Sequence, residues 1–282
     1  MITCRFAGGL GNNLYQLAFL INHSKKHKIP YYIEDYVDRG NIPFQSTQSR
    51  ILEIDNLFEN SFIKKTELEY DFSLINDYKH VDLHAAADHL YSEVPSLSNT
   101  RYCGYFLSDK YFDIIDINKV FSLNKKIKSN LLKKHKQIMK KSTIALHYRL
   151  SGDRQKEEVK KFYNIIPPLF YKKSIEKILK IENKSLQDYN ILLFSDNINL
   201  ATEMLTRFNV PIIPIQNKNN IEDFIHMSIC DHNIIGNSTY SWWAAYLNKK
   251  NKTVFYPRQK WFSEKLKHVK KDDMFPKHWI GI

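Results

Sequence analysis

From residue 142 to residue 257 one pattern recurs: a short apolar run, a polar break, then a stretch with helical apolar spacing. Runs at 143–149, 189–194, 211–214, 233–236 and 254–257 read as strands; 169–180, 199–208, 221–230 and the segment from Asn237 read as helices. Strands that alternate with helices specify a parallel sheet covered on both faces. Such a sheet also dictates where function sits, because ligands bind beyond the carboxyl ends of its strands. The N-terminal part opens in the same way, with a strand at 2–7, a loop Gly8-Gly9-Leu10-Gly11-Asn12-Asn13, a helix at 14–26 and a short strand at 30–33. Residues 38–118 mix loops with short helices and carry many aromatics. Residues 119–141 read as one lysine-rich helix with Val120, Leu123, Ile127, Leu131 and Ile138 on its apolar face. The expected division is one α/β domain over 1–140 and a second over 141–282.

Composition narrows the classes. A chain of 282 residues, 43% hydrophobic and 13% aromatic, supplies cores for two domains of ordinary size. No apolar run approaches the ~20 residues of a membrane span. The N-terminus enters a strand-like run directly, without the basic region and long apolar core of a signal peptide. Cys4, Cys103 and Cys230 are scattered and odd in number, which fits reduced thiols in a cytosol, and no Cys/His spacing marks a zinc site. The net charge of +12 points to acidic partners, but the excess is nearly all lysine in a chain also rich in Asn and Ile, a bias that genomic base composition can produce. Only eight residues are arginine, and Arg149 lies in the most strand-like segment.

Polar groups gather at the strand ends of the second half. The run at 233–236 leads into Asn237-Ser238-Thr239-Tyr240-Ser241-Trp242-Trp243-Ala244-Ala245-Tyr246-Leu247. A strand, a loop of small polar residues and a helix start bring backbone N–H groups and the positive end of a helix dipole to one point, which favours an anion. Ser238 and Thr239 add hydroxyls and can cap the helix. The plain alternative is an ordinary capped helix whose two tryptophans are core. His147 and Arg149 close another strand, with Gly152 and Asp153 just beyond, and Asp196 closes a third. A guanidinium there can take a phosphate through two parallel hydrogen bonds, and Asp196 can accept from a ribose or base. Each group alone is more often a satisfied structural residue or a cap; their convergence at one sheet edge points to a phosphorylated ligand. A dinucleotide-binding reading of the Gly8 loop, with Glu34 and Asp35 about 20 positions on, is incomplete because Leu14 stands at the third glycine position. The Tyr246 and Lys250 spacing of some reductases is too weak a signal to rescue it.

Taken in order, Gly8-Gly9-Leu10-Gly11-Asn12 with Gln16-Leu17-Ala18, Gly104-Tyr105 with Lys110-Tyr111-Phe112, His147-x-Arg149 with Gly152-Asp153, Phe194-Ser195-Asp196, and the string from Asn237 to Ala245 form a series. Through them the chain resembles the alpha-1,2-fucosyltransferases of glycosyltransferase family 11, from residue 8 to about residue 262. The resemblance implies a GT-B-like architecture: two Rossmann-like domains with parallel sheets facing a central cleft, the first on the acceptor side and the second binding a GDP-sugar. It implies an inverting transfer of L-fucose from GDP-β-L-fucose to a galactose 2-hydroxyl in an oligosaccharide or lipid-linked glycan, with no cofactor and no metal. By the family pattern Arg149, Ser238 and Thr239 hold the donor diphosphate. Gly9, Gly11, Asn12 and Asn237 belong to the same donor set, Asp196 lies near the nucleotide, and Asp223 resembles an acidic guanine contact of more distant relatives. The catalytic set is Arg149, His147 and Asp153, with Asp153 the favoured proton acceptor over His147, Glu157 and Glu158. Two departures stand out. The family's His-x-Arg-Arg-Gly-Asp is here His147-Tyr148-Arg149-Leu150-Ser151-Gly152-Asp153, one arginine fewer and one residue longer. Asn13 replaces a glutamine of the first loop.

The expected partners are GDP-fucose and a galactose-containing glycan, not nucleic acid. The expected place is the cytoplasm, with peripheral contact between the lysines of 119–141 and 265–271 and an anionic membrane face, in synthesis of a bacterial surface polysaccharide such as O-antigen. Two alternatives stand beside this reading: a transferase for another nucleotide-linked deoxysugar, and a non-catalytic protein that binds nucleotide sugars or glycans.

Overall fold

The computed structural model describes residues 1–33, 50–62, 75–80, 90–150, 157–250 and 252–282. They form a mixed α/β fold with two parallel sheets, in two compact units: Met1–Leu123 with His268–Pro276, and Asn124–Lys267 with Lys277–Ile282.

The first unit contains β1 (Ile2–Cys4), α1 (Leu10–His27), α2 (Ile51–Leu57), β2 (Asn76–Lys79), β3 (Thr100–Cys103) and a single helical turn, α3 (Ile117–Val120). Its strands are all parallel in the order β1-β3-β2. The expected strand at 30–33 is reduced to one bridge, Tyr31 beside Ile2. The strand β2 escapes a sequence reading because Asn76-Asp77-Tyr78-Lys79 is a polar, largely exposed edge. The residues of α1 from Asn13 to Leu20 are buried without a break, so the helix is enclosed on more than one face. Phe19 stacks on Phe106 at 3.8 Å, and the His80 ring stacks on Phe106 at 5.0 Å.

The second unit contains α4 (Lys125–Lys134), β4 (Ser142–Tyr148), α5 (Glu157–Lys160), α6 (Pro168–Glu182), β5 (Tyr189–Ser195), α7 (Ile198–Thr206), β6 (Ile213–Pro214), α8 (Asn220–Met227), β7 (His232–Ile234), α9 (Thr239–Tyr246), β8 (Thr253–Tyr256) and β9 (Ile280–Gly281). All six strands are parallel in the order β6-β5-β4-β7-β8-β9. Counted within the unit this is 3-2-1-4-5-6, the doubly wound order whose ligand crevice opens where the strand sequence reverses, here between β4 and β7. Alternation along β4 sorts its side chains. Ile144, Leu146, Tyr148 and Leu150 enter a core with Phe170, Tyr171, Ile175 and Ile178 of α6 and Ala201 and Leu205 of α7. His147 points to the other face, against Tyr240 of α9. Trp242 and Trp243 are fully buried, and Trp279, just before β9, packs on Trp242 at 5.3 Å. Both tryptophans are therefore core residues.

The single helix expected over 119–141 is broken into α3, α4 and a 3-10 turn at Ile138–Lys140. The break has a local cause: the Asn124 side chain accepts from the Ile127 N–H and starts a new helix, while Phe121 turns inward against Phe58. Among the described residues no helix is long and apolar enough to cross a membrane. The three cysteines are free thiols, with Cys4 and Cys230 buried.

Among the described residues, burial favours the neutral form of His23, His80, His226 and His232. Burial lowers His23 to about 4, helped by the nearby charges of His27 and Lys26; burial lowers His80 to about 4; burial lowers His226 to about 3, helped by His135 and Lys134. In the unfolded chain these groups take protons near pH 6.5. Below that pH the unfolded state binds more protons than the folded one, so stability is lost as pH falls from about 6.5 towards 4. Melting temperature should drop steadily across this window. A flat profile between pH 6.5 and 4.5 would contradict the neutral assignment.

Candidate active site

The carboxyl edge of the second sheet collects most of the candidate residues. His147 is the penultimate residue of β4 and Arg149 lies just past its end; Asp196 follows β5; Gly236, Asn237 and Ser238 lie between β7 and α9. Asp196 joins two groups at this corner. Its Oδ1 accepts from the Leu150 N–H at 2.8 Å, and its Oδ2 pairs with Arg149 Nη1 at 3.2 Å. The carboxylate thus fixes both the backbone after β4 and the direction of the guanidinium, whose side chain remains 32% exposed. A half-exposed ion pair contributes little to stability; its consequence is orientation. Ser195 supports the same corner, its hydroxyl donating to the Tyr148 carbonyl at 2.6 Å.

The turn before α9 is held from below. A Cβ on Gly236 would sit 2.9 Å from the His147 carbonyl oxygen, 3.2 Å from the Tyr171 hydroxyl and 3.8 Å from the Arg149 nitrogen. The ends of β4 and β7 therefore approach at a distance only glycine permits. Tyr171, fully buried on α6, donates to the His147 carbonyl at 3.1 Å. Asn237 is also buried: its Nδ2 donates to the Asn164 carbonyl at 2.7 Å and the Trp261 carbonyl at 3.1 Å. This amide braces the turn. Ser238 stands at the N-cap position, and its side chain makes no capping bond to α9. Its N–H turns back to the Gly236 carbonyl at 2.8 Å, and its carbonyl accepts from Trp242. Thr239 is the first residue of α9. The turn thus sets two hydroxyl residues at a helix start beside the β4 end, an arrangement suited to a phosphate.

His147 is buried with its ring 5.7 Å from that of Tyr240, whose hydroxyl donates to the Asn220 carbonyl. Asp223 lies in the first turn of α8. Its Oδ1 accepts from Asn217 at 2.9 Å, and burial pushes its carboxyl up to about 6 against the opposing pull of that hydrogen bond. Asp153 lies outside the described residues, as does the Glu158 side chain. Glu157 is exposed and pairs with Lys160 at 2.7 Å.

Gly9, Gly11 and Asn12 belong to the first unit. The helix α1 begins at Leu10, four residues earlier than the sequence pattern indicates, so Gly9 is its N-cap and Gly11 and Asn12 lie in its first turn. Gly8 has φ +83°, and a Cβ there would meet Asn12 Nδ2 at 2.4 Å. Asn13 donates to the Ala7 carbonyl at 3.1 Å. Gln16 accepts from the Ala7 N–H and donates to the Gly104 carbonyl. A sequence reading names both amides within the motif series but not their partners, which are backbone groups.

Residues 1–282 match the family model described as Glycosyl transferase family 11. The chain belongs to that family. The family 11 protein is also similar to the O-antigen biosynthesis glycosyltransferase WbnK of Escherichia coli, 35% identical over 127 residues that cover 43% of this chain and 40% of the relative. The match thus spans well under half of that relative's length. Among solved structures it is similar to the fucosyltransferase NodZ from Bradyrhizobium, with 13% identity, 87% of this chain and 92% of that chain covered and a TM-score of 0.47. It is likewise similar to POFUT1 in complex with GDP-fucose, with 11% identity, 90% and 96% covered and a TM-score of 0.49.

Within this family 11 chain the Gly236 contact makes a sharp demand. Gly236→Ala should lower stability by about 1–3 kcal/mol, because the added methyl meets backbone that cannot swing away. It should also weaken nucleotide binding by separating the ends of β4 and β7. Wild-type melting temperature and affinity in this variant would contradict the close approach.

Proposed function

We propose that this protein transfers L-fucose from GDP-β-L-fucose to the 2-hydroxyl of a galactose in an oligosaccharide or lipid-linked glycan, with inversion at the anomeric carbon. The observation that carries the reading is Arg149, aimed by Asp196 at the end of β4, on the strand adjoining the one that runs into the hydroxyl-bearing turn of α9. Membership of family 11 and the motif series support the donor and the linkage.

In this reading the acceptor oxygen attacks the anomeric carbon of fucose. The bond from that carbon to the diphosphate oxygen breaks, and its electron pair leaves with GDP. Negative charge grows on the diphosphate, where Arg149, the Ser238 and Thr239 hydroxyls and the start of α9 stabilise it, in place of a metal ion. The acceptor proton passes to a base. We favour Asp153, since His147 is enclosed against Tyr240 and Glu157 is paired with Lys160. Asp223 is assigned to the guanine. The second unit is the donor domain, and acceptor recognition falls to the first.

The WbnK relative supports a place in bacterial surface polysaccharide synthesis. Lys125, Lys126, Lys128, Lys133 and Lys134 of α4 are exposed, and we assign them to peripheral contact with anionic lipid. Pelleting with phosphatidylglycerol vesicles should occur and weaken with salt; equal recovery with neutral vesicles would remove the membrane assignment.

The central test incubates the protein with GDP-fucose and galactose-terminated acceptors and determines the linkage formed. Transfer to the 2-hydroxyl that persists in EDTA is expected. Transfer from a different nucleotide deoxysugar alone would overturn the donor assignment. Arg149→Ala should reduce turnover about 10²–10³-fold, the cost of removing a donor aimed at developing charge. Near-wild-type turnover in that variant would remove Arg149 from the mechanism.

A further inference from the structure

Away from Arg149, four polar side chains from α4, the β6–α8 connection and α8 form one chain of hydrogen bonds. His135, the C-cap of α4, places Nε2 3.0 Å from Asn217 Oδ1. Asn217 Nδ2 lies 2.9 Å from Asp223 Oδ1 and 3.2 Å from His226 Nδ1. The partners decide the amide's orientation, since turning it over would set its oxygen against a carboxylate. Asn217 therefore accepts from His135 and donates to both Asp223 and His226.

Each member suits that direction. His135 donates through Nε2 whether or not it is charged in addition. His226 is fully buried, edge-on to Phe194 at 5.3 Å and tilted by 32° against the His135 ring at 4.5 Å, and its neutral ring accepts at Nδ1. The backbone around Asp223 is fixed independently. The Asn219 side chain accepts from the Glu222 N–H at 3.0 Å, and Glu222 accepts from the Lys218 N–H at 2.9 Å, a reciprocal cap of α8. Asp223 Oδ1 is thus bound by the Asn217 amide, the carboxylate also accepts from the Asn217 backbone N–H, and the residue stays partly exposed in the first turn of α8.

We infer that Asn217 is a positioning residue which, clamped by His135 and His226, aims the Asp223 carboxylate at the purine base of the donor, so that the C-terminal end of α4 takes part in base selection. The inference rests on the assignment of Asp223 to guanine made above. A carboxylate discriminates guanine from adenine because guanine presents an N1–H and an exocyclic amino group as adjacent donors on one edge, whereas adenine has no N1–H. That discrimination needs the carboxylate held in the plane of the base, and holding it there is the geometric service Asn217 can provide. A purely structural network joining α4 to α8 would have no influence on which base is bound.

The test is calorimetric titration of the full chain with GDP and with ADP, together with melting temperature. Wild type should prefer GDP, and Asp223→Asn should abolish the preference. Asn217→Ala should weaken GDP about tenfold, roughly 1.4 kcal/mol, and leave ADP unchanged. His135→Ala should show the same loss in smaller degree, with partial recovery in His135→Gln, whose amide can still donate to Asn217. A lower melting temperature with the GDP preference intact in Asn217→Ala and His135→Ala overturns the inference and leaves a structural network only. Absence of a GDP preference in wild type overturns the guanine assignment itself, a different failure. Should Asn217→Ala not fold, the His135 pair decides the matter alone.

Discussion

The candidate site depends on how closely two backbones approach. At the mouth between β4 and β7 the Gly236 Cα faces the His147 carbonyl, and the Tyr171 hydroxyl, fully buried, donates to that same carbonyl. No side chain fits between the two strand ends. The turn from Gly236 to Ser238 therefore sits directly beside the exit of β4, and the start of α9 inherits that position. The ends of a parallel sheet are places where backbone groups stop pairing with neighbours; here the gap is closed by a tyrosine and by the Asn237 amide, which reaches two carbonyls outside the sheet.

Electrostatics then act on this frame. Asp196 anchors the Leu150 N–H with one oxygen and Arg149 with the other, so the direction of the cation is coupled to the backbone that carries it. A cation on a flexible stem gains little from pairing in water; one held at a strand end beside a helix start can meet charge that develops on a leaving group without first reorganising. The enclosed polar groups near the same edge follow a second rule. Burial holds the His226 ring neutral and raises the Asp223 carboxyl to about 6, and Asn217 donates to both.

Much of this was legible before any coordinates. The alternation of runs from 142 onward specified parallel strands, and the observed strands fall within a few residues of the expected ones. Arg149, Asp196 and the turn at 237–239 were found because small polar or charged residues after an apolar run are conspicuous. Other features were hidden for physical reasons. The strand β2 is polar because it is an exposed edge, so it lacks the apolar signature of a central strand. The single helix read over 119–141 ignored the capping capacity of Asn124. The glycine loop was placed outside α1, although Gly9 caps it and Gly11 lies within it. Tyr171, Asn164 and the His135–Asn217–His226 chain carry no motif at all, since their partners are carbonyls or residues far away in the chain.

The sequence by itself determined the periodicities, hence which segments become strands or helices, the parallel sense of the larger sheet and the class of residue at each strand end. These are local properties, set by side-chain polarity over a few positions and by the covalent order of the chain. Only the tertiary structure decided that Asp196 grips Arg149, that Asn237 faces inward as a brace, that Ser238 does not cap its helix and that His135 reaches Asn217. Those outcomes are fixed by which backbones can approach one another and by which buried polar atoms must find partners, and both are settled only when distant segments pack together.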